Sequence, residues 1–119
     1  MDKNIKILIA DDSLFMRSVL KDILSRYGFT HLIEAENGKE ALAKYNLEKP
    51  NLILLDIVMP EMDGLEVLKK IGKDAKIIVI SAVGQEHMVQ QAEKSGAHGY
   101  ILKPFDEKNV LEEIEKTFS

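Results

Sequence analysis

Five polar residues stand where apolar runs end or are interrupted: Asp11 and Asp12 directly after IKILIA, Asp56 inside LILLDIV, Ser81 closing KIIVIS, and Lys103 in YILKP. Three carboxylates brought within a few ångströms raise one another's pKa unless a cation compensates. An all-oxygen donor set with no His or Cys nearby suits a hard ion such as Mg²⁺, which keeps several waters and takes phosphate oxygens to complete its octahedron. A hydroxyl and an ammonium beside such an ion complete a set of groups that binds phosphoryl oxygens and stabilises their transfer by charge and position.

Each residue also has a plainer reading. An acidic pair after a strand can cap the next helix, and Asp12 or Ser13 could do that alone. Ser81 could serve as a cap or turn residue, and Lys103 as a solvated strand end. Asp56 weighs against the plain reading, because an unpaired carboxylate among buried aliphatics is strongly destabilising.

For these residues to act together, the chain must bring their strand ends to one edge. Apolar runs recur at Ile5 to Ala10, His31 to Ala35, Leu52 to Ile57, Lys76 to Ser81 and Tyr100 to Leu102. IKILIA, LILLDI and KIIVIS are nearly continuous in apolar residues, the pattern of strands buried on both faces of a parallel sheet. Helices should lie between them. Met16, Leu20, Ile23, Leu24 and Tyr27 form one helical stripe that Gly28 can end. Asn37 and Glu40 are a capping pair for a helix through Ala41, Leu42 and Tyr45, which Pro50 stops. Leu65, Leu68 and Ile71 predict a helix ending at Gly72, and Asp106 caps a last one whose buried stripe is Val110, Leu111, Ile114 and Phe118. The segment Glu86 to Ser95 is the most polar helix and should pack least firmly.

Strand and helix alternating five times predict an α/β fold: a doubly wound, five-stranded parallel sheet with helices on both faces, in the common flavodoxin-like order 2-1-3-4-5. A barrel would need about twice the length. Ligands of such sheets bind outside the carboxyl ends of the strands, beside strand 1.

Composition narrows the function classes. A chain of 119 residues fits one domain, expected to span 1–119. A formal net charge of −4 argues against a sequence-independent grip on nucleic acid or an anionic membrane. The absence of cysteine excludes disulfides, thiolate metal sites and a Cys nucleophile. The apolar run in MDKNIKILIADD is too short for a signal peptide or a membrane span, so a cytoplasmic location without membrane insertion is expected.

IADDS, LLDIVMPEMDG, VISA and LKPF, in that order along the full chain, resemble the motif set of the response-regulator receiver domain. The resemblance implies that Asp56 is the phosphoacceptor, and that Asp11 and Asp12 hold Mg²⁺ with Asp56 and the backbone carbonyl of Val58. It further implies that Lys103 pairs with Asp56 or with its phosphate, that Ser81 is the switch hydroxyl, and that Tyr100 is the aromatic that turns inward when the hydroxyl moves. Members of this family commonly have a cis bond like the one expected at Lys103–Pro104, and Gly64 looks like a turn residue for which positive φ is useful. The family's partner face, formed by the fourth helix, fifth strand and fifth helix, would here include Gln85, His87, Met88, Gln91, Tyr100 and Lys103.

Two residues after Asp56 and two after Ser81 stand Val58 and Val83, where receivers often carry side chains that position the hydrolytic water. Slow loss of phosphate is therefore expected unless a phosphatase assists. SLFMRSVLKDIL and SAVGQEHMV are similar to the stand-alone chemotaxis subgroup. That similarity implies a CheA-like histidine kinase upstream, a motor or motor-adaptor protein downstream, and a monomer that acts by binding protein rather than as an enzyme on other substrates. A receiver from another pathway or a phosphorelay intermediate would share the chemistry. A Mg²⁺-dependent aspartyl-phosphate hydrolase fits less well, since Asp11 and Asp12 are adjacent rather than in a DxD pattern. A flavodoxin-like electron carrier fails on charge, because the loop after the first strand is acidic.

Overall fold

The computed structural model describes residues 1–71 and 74–119. Strand and helix alternate through β1 (Lys6–Ala10), α1 (Leu14–Arg26), β2 (His31–Ala35), α2 (Gly38–Glu48), β3 (Leu52–Asp56), α3 (Gly64–Lys70), β4 (Lys76–Ala82), α4 (Glu86–Lys94), β5 (Gly99–Lys103) and α5 (Glu107–Phe118). All strand pairs are parallel, in the order β2-β1-β3-β4-β5. This is the expected doubly wound, flavodoxin-like architecture.

The three apolar runs become the three central strands because both of their faces are covered. Leu8, Ile53, Leu55, Ile77 and Val79 pack with Ala41 and Tyr45 of α2, Leu65 and Leu68 of α3, and Val89 and Ala92 of α4. Their alternating neighbours Ile7, Ile9, Leu52, Leu54, Ile78 and Ile80 pack on the other side with Leu20, Ile23 and Leu24 of α1 and Val110 and Ile114 of α5. A period of two along each strand thus feeds two cores.

Local chemistry starts and stops the helices where the chain must turn. Ser13, Asn37, Asp63 and Asp106 each accept a hydrogen bond from a backbone amide in the first turn of the helix that follows. Gln85, at the start of α4, makes no such bond. Gly28, at φ 95°, lets the chain leave α1, and Lys49, at φ 51°, ends α2 before Pro50.

Two local expectations change, and a third falls outside the described residues. Tyr27 is exposed at the end of α1, and Phe29, beyond the turn, fills the core instead. Ile71 follows α3 directly, while the expected stop at Gly72 lies outside the described residues. Gly64 is the first residue of α3 and is not among the positive-φ residues, whereas Glu61, at φ 69°, is. Gly64 is required for another reason: a Cβ there would meet the Asp56 carbonyl oxygen at 2.4 Å.

Among the described residues, no helix is long and apolar enough to cross a membrane. The register pairs Ala10 with Leu55, Asp56 with Ile80, Ser81 with Leu102 and Ala82 with Lys103. The ends of β1, β3, β4 and β5 therefore reach the same edge.

Candidate functional site

Asp11 continues the β1–β2 ladder by one residue, its N–H donating to the Ala35 carbonyl at 3.1 Å. Its carbonyl accepts from Arg17 Nη1 at 2.7 Å, and its Oδ1 accepts from the Ser13 amide at 2.9 Å. Asp56 ends β3, where Oδ1 accepts from the Val58 amide at 3.2 Å. Lys103, at the end of β5, places Nζ 3.3 Å from Asp56 Oδ2 and 3.4 Å from Asp11 Oδ2. The Lys103–Pro104 peptide is cis.

Asp11, Asp12 and Asp56 each offer a carboxylate oxygen within 4.8 Å of the others. Asp11 and Asp56 are buried and Asp12 is exposed, so the cluster has a dry floor and one open side. Such an all-oxygen set is compatible with Mg²⁺, which prefers carboxylates and retained waters to a closed protein cage. Val58 is half exposed, and its contact with Asp56 is made by the amide.

Burial pushes the Asp56 carboxyl up to about 6, the Asp11 charge adding to the effect against the opposing pull of Lys103 and the Val58 amide. At Lys103 burial opposes the charge, but Asp56 and Asp11 outweigh it and hold the ammonium above its ordinary pKa. At neutral pH the site therefore contains an anionic Asp56 facing a cationic Lys103, an arrangement that could serve a nucleophile and its charge partner.

Ser81 is buried near the end of β4, which runs one residue further, to Ala82. It also lines a cavity of about 260 Å³ between α4 and β5, together with Glu86, Val89, Gln90, Tyr100 and Leu102. The hydroxyl-bearing residue thus stands between the acidic edge and this groove. Tyr100 is half exposed at the groove.

The six residues expected on the partner face take different positions around α4 and β5. Gln85 turns back to accept from the Ala82 amide, Met88 packs against the core, and His87 and Gln91 bond to one another on an exposed part of α4. None of these four lines the groove, and Lys103 points into the acid cluster; of the six, Tyr100 alone lines it. Glu86, Val89, Gln90 and Glu93 supply the α4 wall. Burial of Val89 and Ala92 was legible as a stripe, but which flank of that stripe faces β5 depends on how the helix crosses the sheet.

Sequence reasoning missed Arg17 altogether, since an arginine in an amphipathic helix reads as surface. Its burial comes from the side chain reaching back over the β1–α1 junction.

Known proteins resemble this chain in sequence and fold. Residues 7–115 match the family model described as the response regulator receiver domain. The chemotaxis protein CheY of Listeria monocytogenes is 51% identical over 115 residues, covering 94% of this chain and 97% of that protein. The sporulation initiation phosphotransferase F of Bacillus subtilis is more distant, 35% identical over 116 residues that cover 95% of this chain and 93% of its own. The crystal structure of the CheX-CheY-BeF3-Mg complex from Borrelia burgdorferi contains a chain that superposes with a TM-score of 0.91 at 36% identity, covering 97% of this chain and 90% of that one. With its sheet order, its acidic edge and these relatives in agreement, the chain belongs to the response regulator receiver domain family.

Proposed function

We propose that residues 1–119 act as a single receiver domain that accepts a phosphoryl group on Asp56 from a histidine kinase and then binds a protein target in the control of motility. The observation that carries this reading is the contact of Asp56 with Lys103 at 3.3 Å beside two further carboxylates.

In the transfer, an Asp56 carboxylate oxygen attacks phosphorus while the bond from phosphorus to the donor histidine nitrogen breaks; imidazole leaves with the electron pair and takes a proton from solvent. Mg²⁺ held by Asp11, Asp12, Asp56 and the Val58 carbonyl would neutralise charge on the phosphoryl oxygens. Lys103 exchanges its carboxylate partner for a phosphoryl oxygen, and Ser81 donates its hydroxyl to another. Movement of Ser81 alters the cavity it lines, and Tyr100 turns inward to fill it. The only covalent chemistry is the protein's own phosphorylation and its reversal.

The resemblance to CheY supports a CheA-like kinase, a motor or motor-adaptor target, a cytoplasmic location and a monomeric state. The presence of CheX with CheY in the Borrelia burgdorferi complex supports a further protein partner, for which a phosphatase is the reading offered here. A phosphorelay intermediate is the second reading, favoured by the sporulation relative. Onward transfer to a second histidine protein would decide for it.

Incubation with acetyl phosphate and MgCl₂, followed by intact mass, tests the assignment. The wild type gains one phosphoryl group and Asp56→Asn gains none; uptake that survives the substitution would refute it.

A further inference from the structure

Four polar or charged residues are buried among the described residues: Asp11, Asp56, Ser81 and Arg17. The first three belong to the phosphoacceptor site, and the fourth has no part in the transfer. We infer that Arg17 is a positioning residue for the divalent-ion site, fixing the plane of the Asp11–Asp12 peptide and so the direction in which the Asp12 carboxylate leaves the chain. This rests on the reading of Asp11, Asp12 and Asp56 as Mg²⁺ ligands.

Arg17 lies in the first turns of α1, and side chains of a helix lean toward its N-terminus. Its Nη1 reaches the Asp11 carbonyl at 2.7 Å, a short charge-assisted bond. Its Nε donates to Glu34 Oε1 at 3.0 Å. Glu34 is held in turn: Lys21 Nζ lies 3.0 Å from Oε2, and Lys44 donates to the Glu34 backbone carbonyl. Burial alone would raise the Glu34 carboxyl, yet hydrogen bonds from Lys21 and Arg17 hold it below the ordinary range, so it stays a charged anchor. The guanidinium is thus fixed by β2 at one end and grips the chain after β1 at the other.

The grip falls on the residue where it matters. The Asp11 N–H is taken by Ala35, its carbonyl by Arg17, its Oδ1 by Ser13, and its Oδ2 faces Lys103. Every polar atom of Asp11 is engaged. Asp12 is exposed and shares a peptide with Asp11, so the plane that Arg17 orients sets where the Asp12 side chain begins. Ligand-orienting hydrogen bonds of this kind are worth about tenfold or more in metal affinity.

Charge alone predicts the opposite. A guanidinium beside a cation site repels the ion, so on electrostatics its removal should tighten Mg²⁺ binding. Pairing with Glu34 offsets that repulsion and leaves the grip. The two roles differ in sign.

The test titrates MgCl₂ into the full chain and follows backbone amide shifts by NMR for wild type, Arg17→Met, Arg17→Lys and Asp12→Asn, with the urea midpoint of each variant measured alongside. Arg17→Met is expected to weaken Mg²⁺ binding about tenfold. Arg17→Lys is expected to show a smaller loss at unchanged charge, because one ammonium cannot hold the carbonyl and Glu34 with the same fork. Unchanged or tighter binding in Arg17→Met, whatever its stability, overturns the inference. Should that variant not fold, Arg17→Lys decides, and wild-type affinity there overturns it. If Asp12→Asn loses Mg²⁺ and the Arg17 variants do not, only this inference fails; if wild type and Asp12→Asn bind equally, the metal reading fails with it.

Discussion

The ammonium of Lys103 stands 3.3 Å from Asp56 and is only a quarter exposed, so a single cation from the last strand faces the buried carboxylate of the middle one. Replacing Lys103 with Met removes that cation while Asp11 remains beside Asp56. The Asp56 titration midpoint, followed by carboxyl carbon NMR, is expected to rise above about 6. Phosphoryl uptake from acetyl phosphate should slow in the same variant.

Burial raises the Asp56 carboxyl to about 6 in the folded chain, from the ordinary 3.8 of an unfolded one. A raised acid pKa means that ionisation costs the folded state, so stability falls as pH rises from about 4 to 6 and the deficit persists above. Asp56→Asn removes it. Its unfolding free energy at pH 7.5 is expected to exceed that of wild type by on the order of 2 kcal/mol, with the gain vanishing near pH 4. An equal gain at both pH values would show that ionisation is not its source.

Gly64 begins α3 against the Asp56 backbone, where a Cβ would come within 2.4 Å of the carbonyl oxygen and 2.8 Å of the Ile57 Cα. Both neighbours are main chain, so relief requires a backbone shift beneath the Asp56 carboxylate. Gly64→Ala should lower stability by about 1–3 kcal/mol in urea denaturation and slow phosphoryl uptake as well.

Val58 and Val83 are exposed, 48% and 75%, and neither can orient an attacking water. Purified phosphoprotein is expected to retain its phosphate well beyond minutes, and Val58→Asn to shorten the lifetime. Intact mass at intervals after removal of the phosphodonor measures both.

Asp106 and Asn109 cap α5 reciprocally. Asp106→Ala should cost about 1 kcal/mol in thermal or urea unfolding, with little change in phosphorylation.

The sheet order and the acid cluster were legible because they depend on periodicity and on which residue ends each strand. LILLD reads as buried on both faces and is so at every position. Relations across space were not legible. Gly64 looked like a turn glycine, whereas its constraint is contact with a carbonyl eight positions earlier. Which flank of the α4 stripe meets β5 was not legible either, because hydropathy locates a buried stripe without saying how the helix crosses the sheet. Arg17 was invisible for a related reason: the acceptor that buries it is a backbone oxygen, and a backbone oxygen has no letter in a sequence.

The loop after β3 is wedged on two sides. A Cβ on Gly38 would strike the Met62 carbonyl at 1.7 Å, and one on Gly64 would strike that of Asp56, so the starts of α2 and α3 both press against it. Across the site, Gly84 has open space around its Cβ position, and α4 begins at Glu86, its N-cap Gln85 making no side-chain capping bond. The mouth of the site is thus closely packed on one side and open on the other: added bulk is excluded at the starts of α2 and α3, while the turn before α4 leaves room around Gly84.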